Sequence, residues 1–543
     1  MKRLVLYIST FLWATTILAL AQESNLQKGV SLFRSKNYAG AISLLREEIL
    51  KSPNSNEAQY YLGLALWNTG KVDSALIHIK KAWELNPKNP DYTYSLGNLY
   101  LEKEMCAEAK QVFQAGLTRK NKGNKARFYY GLGKAQLAAD SLNSAIVYLL
   151  HAREQDPKDA KVYAALGDAY SKQKVATVAI ENYKKAVELD SSLVQVHYNL
   201  GKLLYKERQF NDALIEFRKV VNLDSQFADA YYEIGNLYYL GKRYAEAIPE
   251  LKHYLQFYPK SFKANALLAR ALYYNRQLNE ALEYGEEAAK IDSSNVELTR
   301  LLTKMYYDAR EHARTVEAFH RLARLDSLSA EEYMKWGRSY EALKKNSDAI
   351  TALEKALAMD STLDLHFEIG TLLYIEQRYP EAIAHYEKKI QADSQSVSAY
   401  LNRGISYLRL ENVPEAIKSF RQGVELKPDH LQGRIWLAQS YATLDSLEQA
   451  KAEYEVVAKL DSANAESRRY IGFYHLLKQN YPAAVVVLEK AVALDPGGMQ
   501  GHLWLAQAYA LNRQREQAIV EYKKVLKLDP KNKDAQKGLK LLE

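Results

Sequence analysis

Apolar side chains between Asn25 and Pro530 recur with the period of a helix, and they do so in paired stripes. Within residues 195–224, His197, Leu200, Gly201 and Leu204 take positions i, i+3, i+4 and i+7 of one helix. Ala213, Leu214, Phe217, Val220 and Val221 line a second. Each helix has room for only ~14 residues, too few to persist alone in water. A single pair would leave an apolar face bare, so the pattern predicts pairs stacked on pairs. Asp224-Ser225 and Asp495-Pro496 supply helix stops, each followed by a cap or a proline start.

The pairs share a register. A small residue in the context Leu-Gly-x-x-Tyr recurs at Gly29, Gly63, Gly97, Gly133, Gly167, Gly201, Gly235, Ala269, Thr303, Gly337, Gly370, Gly404, Ala438, Gly472 and Ala506. The gaps are 34 residues, except for 36 before Gly133 and 33 before Gly370. Twelve residues after each small slot stands an alanine, broken only by Thr315. Four residues further on comes a bulky side chain such as Phe113, Tyr183, Phe217, Tyr386, Phe420 or Tyr522. Several repeats close on proline: Pro53, Pro87, Pro157, Pro259, Pro428, Pro496 and Pro530.

This order of Leu-Gly-x-x-Tyr, Ala, ring and Pro at a 34-residue period resembles the tetratricopeptide-repeat (TPR) family, here of an exported type. The resemblance covers nearly everything from Asn25 to Pro530. It implies an all-α fold, a right-handed α-solenoid superhelix of about 15 tandem helix-turn-helix repeats, with the first helix of each pair lining a concave groove. It also implies a scaffold or adaptor that binds a protein or peptide in that groove. The chaperone carboxylate clamp of the family does not carry over. Repeat seven offers Asn236 but has Tyr232 where that clamp needs lysine.

The ends read differently from the array. Residues 1–21 have the layout of a secretory signal peptide: Lys2 and Arg3, the apolar stretch Leu4 to Leu18, then Ala19-Leu20-Ala21. Cleavage is expected before Gln22, which places the protein in the periplasm or cell envelope, or outside the cell. The array is expected over 22–530, and 531–543 as a C-terminal capping helix with Ala535, Leu539 and Leu542 inward and Lys533, Lys537 and Lys540 outward.

Composition narrows the classes. Hydrophobic residues make up 48% and charged residues 26%, too apolar and too balanced for disorder. The net charge of +9 comes from 74 basic and 65 acidic side chains that are interspersed, so no nucleic-acid arm is read. The charge does leave room for an acidic partner. Cys106 is the only cysteine and has no partner for an intrachain disulfide. No P-loop, dinucleotide turn, nucleophile elbow or His-Glu-x-x-His motif occurs, so neither catalysis nor a cofactor or metal is expected. His197, His366 and His502 share one repeat slot and read as packing variants. Some glycosyltransferases carry such an array before a catalytic domain, but only 13 residues follow Pro530 here. A less favoured alternative is binding of acidic polysaccharide or another polyanion.

Irregular repeats mark the middle of the array. Arg119 to Lys125 carries the two-residue insertion as a basic surface loop. Gly285 stands in the bulky slot of repeat eight, and Thr303 and Thr315 fill both small slots of repeat nine, which predicts a thinner, more polar seam. Groove positions are read three residues before, one after and four after the small slot. In repeats six to ten they give Tyr198, Lys202 and Tyr205; Tyr232, Asn236 and Tyr239; Ala266, Arg270 and Tyr273; Arg300, Lys304 and Tyr307; and Met334, Arg338 and Glu341. Tyrosine brings rigid area with a polar tip, and Arg or Lys selects carboxylates, so this wall suits an extended, acidic or aromatic-bearing peptide. The same slots turn bland from repeat twelve, as at Leu401, Ile405 and Leu408.

Overall fold

A computed structural model describes residues 24–118 and 125–543. The signal-peptide reading of 1–21 lies outside these residues, as does all of the basic insertion loop but Lys125. The described chain is all α: 15 helix pairs and a last helix, Lys533–Leu542, with no strand among the described residues. No described helix is long and apolar enough to cross a membrane.

Repeat six shows how each pair is built. Its A helix is Val194–Lys206 and its B helix Phe210–Leu223. Arg208 turns the chain between them with a φ of 61°. Its N–H donates to the Tyr205 carbonyl at 3.0 Å, and that of Gln209 to Leu204 at 2.9 Å, which closes the A helix with a Schellman motif. Asp224 ends the B helix in an extended conformation, and its carboxylate accepts from the Gln226 N–H at 2.9 Å. The left-handed residue recurs seven positions after every small slot, and only Gly70 among the fifteen is glycine.

Packing follows the slots. A Cβ on Gly201 would sit 2.8 Å from the Phe217 ring, and one on Gly97 only 2.4 Å from Phe113. The missing side chain therefore lets the ring lie flat across the A helix. Repeat eight reverses the sizes, with Ala269 in the small slot and a buried Gly285 in the bulky one. In repeat nine the buried Thr303 and Thr315 hydroxyls donate to the carbonyls of Thr299 (2.7 Å) and Glu311 (3.0 Å), which satisfies them within their own helices. Repeat eleven is one residue short, and its A helix, His366–Ile375, is correspondingly cut to 10 residues.

Within each body every helix packs on the next, and several successive A helices also touch. The chain divides into two compact bodies, the first ending at Ile291 and the second running from Asp292 to Glu543. The first ends with repeat eight, next to the irregular slots of repeat nine. In the closing helix Ala535 is buried, Leu539 and Leu542 are half-buried, and Lys533, Lys537 and Lys540 are exposed.

Candidate functional site

In the first body, Tyr205, Tyr239 and Tyr273 stand in the last turn of three consecutive A helices, each half-buried. The Tyr205 hydroxyl accepts a hydrogen bond from Asn236 Nδ2 of the next repeat at 3.1 Å, and its ring meets Phe210 edge-on at 5.6 Å. Tyr239 leans on Tyr244 at 5.6 Å and on Tyr274 at 6.5 Å, and burial pushes its hydroxyl pKa up. Tyr273 meets Tyr274 edge-on at 5.4 Å. These rings are held in place by their neighbours while keeping part of their surface in solvent. Between them lie Lys202, exposed, and Arg270, half-buried.

The position three residues before the small slot is more enclosed than its spacing suggested. Tyr198 packs on Phe217 at 5.7 Å and on Phe227, the N-cap of the next A helix, at 4.8 Å. Burial raises its pKa, and Lys202 Nζ stands 5.4 Å from its centroid. Tyr232 lies against Tyr254 at 5.3 Å with Lys263 Nζ 4.1 Å above it, and Ala266 is buried outright. This slot fills the joint between repeats, because the A helix of the next repeat closes over it.

In the second body the same slots hold charges already engaged. Arg300 pairs with Asp326 at 2.8 Å and with Glu332, and also donates to the Ser327 carbonyl. Arg338 grips Glu368 of the following repeat through Nε and Nη2, both at 3.1 Å. Lys335 Nζ lies 5.8 Å from the half-buried Tyr307 ring, and Lys304 is exposed. Glu341 sits almost one turn beyond Arg338 on the same helix, with its carboxyl pushed up by burial and by Glu368. The arginines thus tie repeat to repeat as much as they face solvent.

Spacing alone missed a cluster in repeats five and six. Tyr183 donates to Asp168 Oδ1 at 2.6 Å and Asn199 Nδ2 to the same oxygen at 3.3 Å. Burial pushes the Asp168 carboxyl up against these hydrogen bonds. An open cleft of about 540 Å³ lies over it, bordered by Lys172, Lys202 and Lys206. The one signal was Tyr183 in a bulky slot, since a buried tyrosine hydroxyl needs a partner.

The histidine slot is structural. His197 Nδ1 meets Glu216 Oε2 at 2.5 Å and its Nε2 reaches the Ser191 carbonyl at 3.2 Å. His502 repeats this with Glu521 and the Pro496 carbonyl, while His366 meets His385, Nδ1 to Nδ1, at 3.1 Å. Burial, His366 and Lys388 together push His385 down to about 4. In repeats six and fifteen the slot therefore ties the loop that enters the repeat to the B helix of the same repeat.

Profiles described as tetratricopeptide repeat match residues 26–90, 94–160, 198–262, 334–397, 401–465 and 475–542, and one described as TPR repeat matches 177–208. The stretch 263–333, which these matches leave uncovered, holds the irregular repeats eight and nine. No curated protein matches the chain. Among solved structures, the APC/C hetero-tetramer Cut9-Hcn1 is 15% identical over 91% of this chain and 98% of its own, with a TM-score of 0.34. MamA is 22% identical over 31% of this chain and 91% of its own, with a TM-score of 0.29. The C-terminal part of a TPR repeat-containing protein from Cytophaga hutchinsonii is 21% identical over 51% and 99%, with a TM-score of 0.33. With its slots filled by paired helices and the profiles matching most of its length, the chain belongs to the tetratricopeptide-repeat family.

Proposed function

We propose that this protein is a non-catalytic scaffold whose A-helix face, in repeats six to eight, takes an extended segment of another protein. The observation that carries the reading is the row Tyr205, Tyr239 and Tyr273. Three rings at one slot of three consecutive repeats are each braced by a neighbouring ring and each only half-buried. Braced aromatic rings lose little freedom on binding and dominate interface energetics. The engaged arginines of the second body offer less free charge, so the first body is the favoured seat.

A photoreactive residue at Lys202 would trap the partner. Replacing Tyr205 or Tyr239 by alanine should then weaken its capture by ~1–2 kcal/mol or more each. Helical content should be retained, and unchanged affinity at equal folded concentration would remove the assignment.

The signal-peptide layout of residues 1–21 supports a reading in which the protein works outside the cytoplasm. The mature chain should begin at or within a few residues of Gln22. Mass measurement of the protein from the envelope fraction checks this, and an intact Met1 there would point to an anchored chain instead.

A further inference from the structure

We infer that a second surface, the turn edge of repeats five to eight, binds an extended acidic segment of polypeptide. The left-handed residues of these four turns are Lys174, Arg208, Lys242 and Arg276, with φ between 58° and 64°. All four side chains are exposed, and none takes part in an ion pair or hydrogen bond with another described residue. The backbone does not ask for a cation there. Left-handed geometry favours Gly, Asn and Asp, and other turns of this chain use Gly70, Asp140, Glu411 and Asp445 at the same position. The helix dipole rewards a cation at the end of an A helix, but it does so at all fifteen turns alike. Four consecutive cations therefore answer to something outside the turn. The second body opens its own array the same way, with Arg310 and Lys344.

Two more features surround the row. Lys172 and Lys206 stand exposed two residues upstream of the first two cations. Between the later turns lies a ledge of rings: Tyr244 and Tyr274 stack at 5.3 Å and 24°, and Tyr274 is 49% exposed. Carboxylates share the edge as well, among them Glu207 and Glu246, the latter paired with Arg243. Those acids decide the occupant. Duplex DNA, with one charge per ~1.7 Å, would meet repulsion at each of them. A polypeptide with spaced carboxylates can set its charges on the cations and lay uncharged side chains over the rings.

The test uses the full mature chain and a labelled alternating Glu-Ala peptide long enough to span four repeats, followed by anisotropy. The peptide should bind at low ionic strength and be released as salt rises. Lys174→Asp, Arg208→Asp, Lys242→Asp and Arg276→Asp together should weaken binding by roughly tenfold or more. Aspartate occupies this slot at Asp140 and Asp445, so the variant should keep the helical signal of the parent. Arg513→Asp, the same change in repeat fifteen, should leave binding as it was. Tyr205→Ala, whose ring meets Phe210 and Asn236 and not the Tyr244–Tyr274 ledge, should do likewise, which separates this edge from the A-helix face. Equal binding by the fourfold variant overturns the inference. Tighter binding of oligothymidylate or polygalacturonate than of the peptide overturns it too, by naming a different occupant.

Discussion

Truncating Phe217 to alanine should cost about 3–5 kcal/mol of stability, the range for losing a fully buried aromatic ring. The ring is 0% exposed and lies on Gly201, whose lack of a side chain leaves nothing to move into the void. Because helices pack only on near neighbours, the loss should stay local. Amide exchange should quicken in the helices from Val194 to Phe257, while residues 292–543 keep their protection. Repeat eight already lives with Gly285 in this slot, so the variant should remain folded. A loss below ~1 kcal/mol, or equal deprotection throughout the second body, would mean that the slot is not the keystone of its repeat.

The second large effect concerns the polar tie behind that ring. His197→Ala should cost about 3–4 kcal/mol, the lower part of the range for breaking a buried pair, because Lys219 still reaches Glu216. The change also removes the contact with the carbonyl of Ser191, an exposed residue that water can serve instead. Replacing both partners with apolar residues of similar size, His197→Leu with Glu216→Met, should recover most of the loss, since no unpaired group is then left buried. Chemical denaturation of the three variants decides it. If the double variant is as unstable as the single one, the slot is about shape and not about the pair. Burial raises the Glu216 carboxyl, but hydrogen bonds from His197 and Lys219 outweigh this and hold it below its ordinary value of 4.5. A depressed carboxyl stabilises the fold above that value, and the benefit fades as pH falls through the folded pKa. The gap between parent and His197→Ala should therefore narrow in acid.

Most of the fold was legible in the sequence because close approach leaves a mark. A repeat can bring a ring as near as Phe113 lies to Gly97 only by deleting a side chain, so the small slots could be read off in register. The left-handed turns left almost no mark. Lysine, arginine, glutamine and glutamate there carry no signature, and only Gly70, Asp140 and Asp445 hinted at the geometry. The site was read less completely. Helical spacing placed Tyr205, Tyr239 and Tyr273 on one row, yet it could not say that Tyr198 is roofed by Phe227, a residue of the following repeat. Nor could it say that Arg300 and Arg338 are already held by acids 26 to 32 residues away. Such pairings depend on how one repeat leans on the next, which a single repeat's pattern does not contain.

Contacts confined to adjacent helices also set a clock for the growing chain. At ~5–20 residues per second a ribosome adds one 34-residue repeat in roughly 2–7 s, whereas helices form and short loops close within about a microsecond. Among the described residues, no helix waits for a partner hundreds of residues away. The ring of one repeat is covered as soon as the next A helix appears, so the newest pair is the one that stays bare. Within each body, folding advances as a front a single repeat behind synthesis, and a chain interrupted there exposes the apolar face of its newest pair.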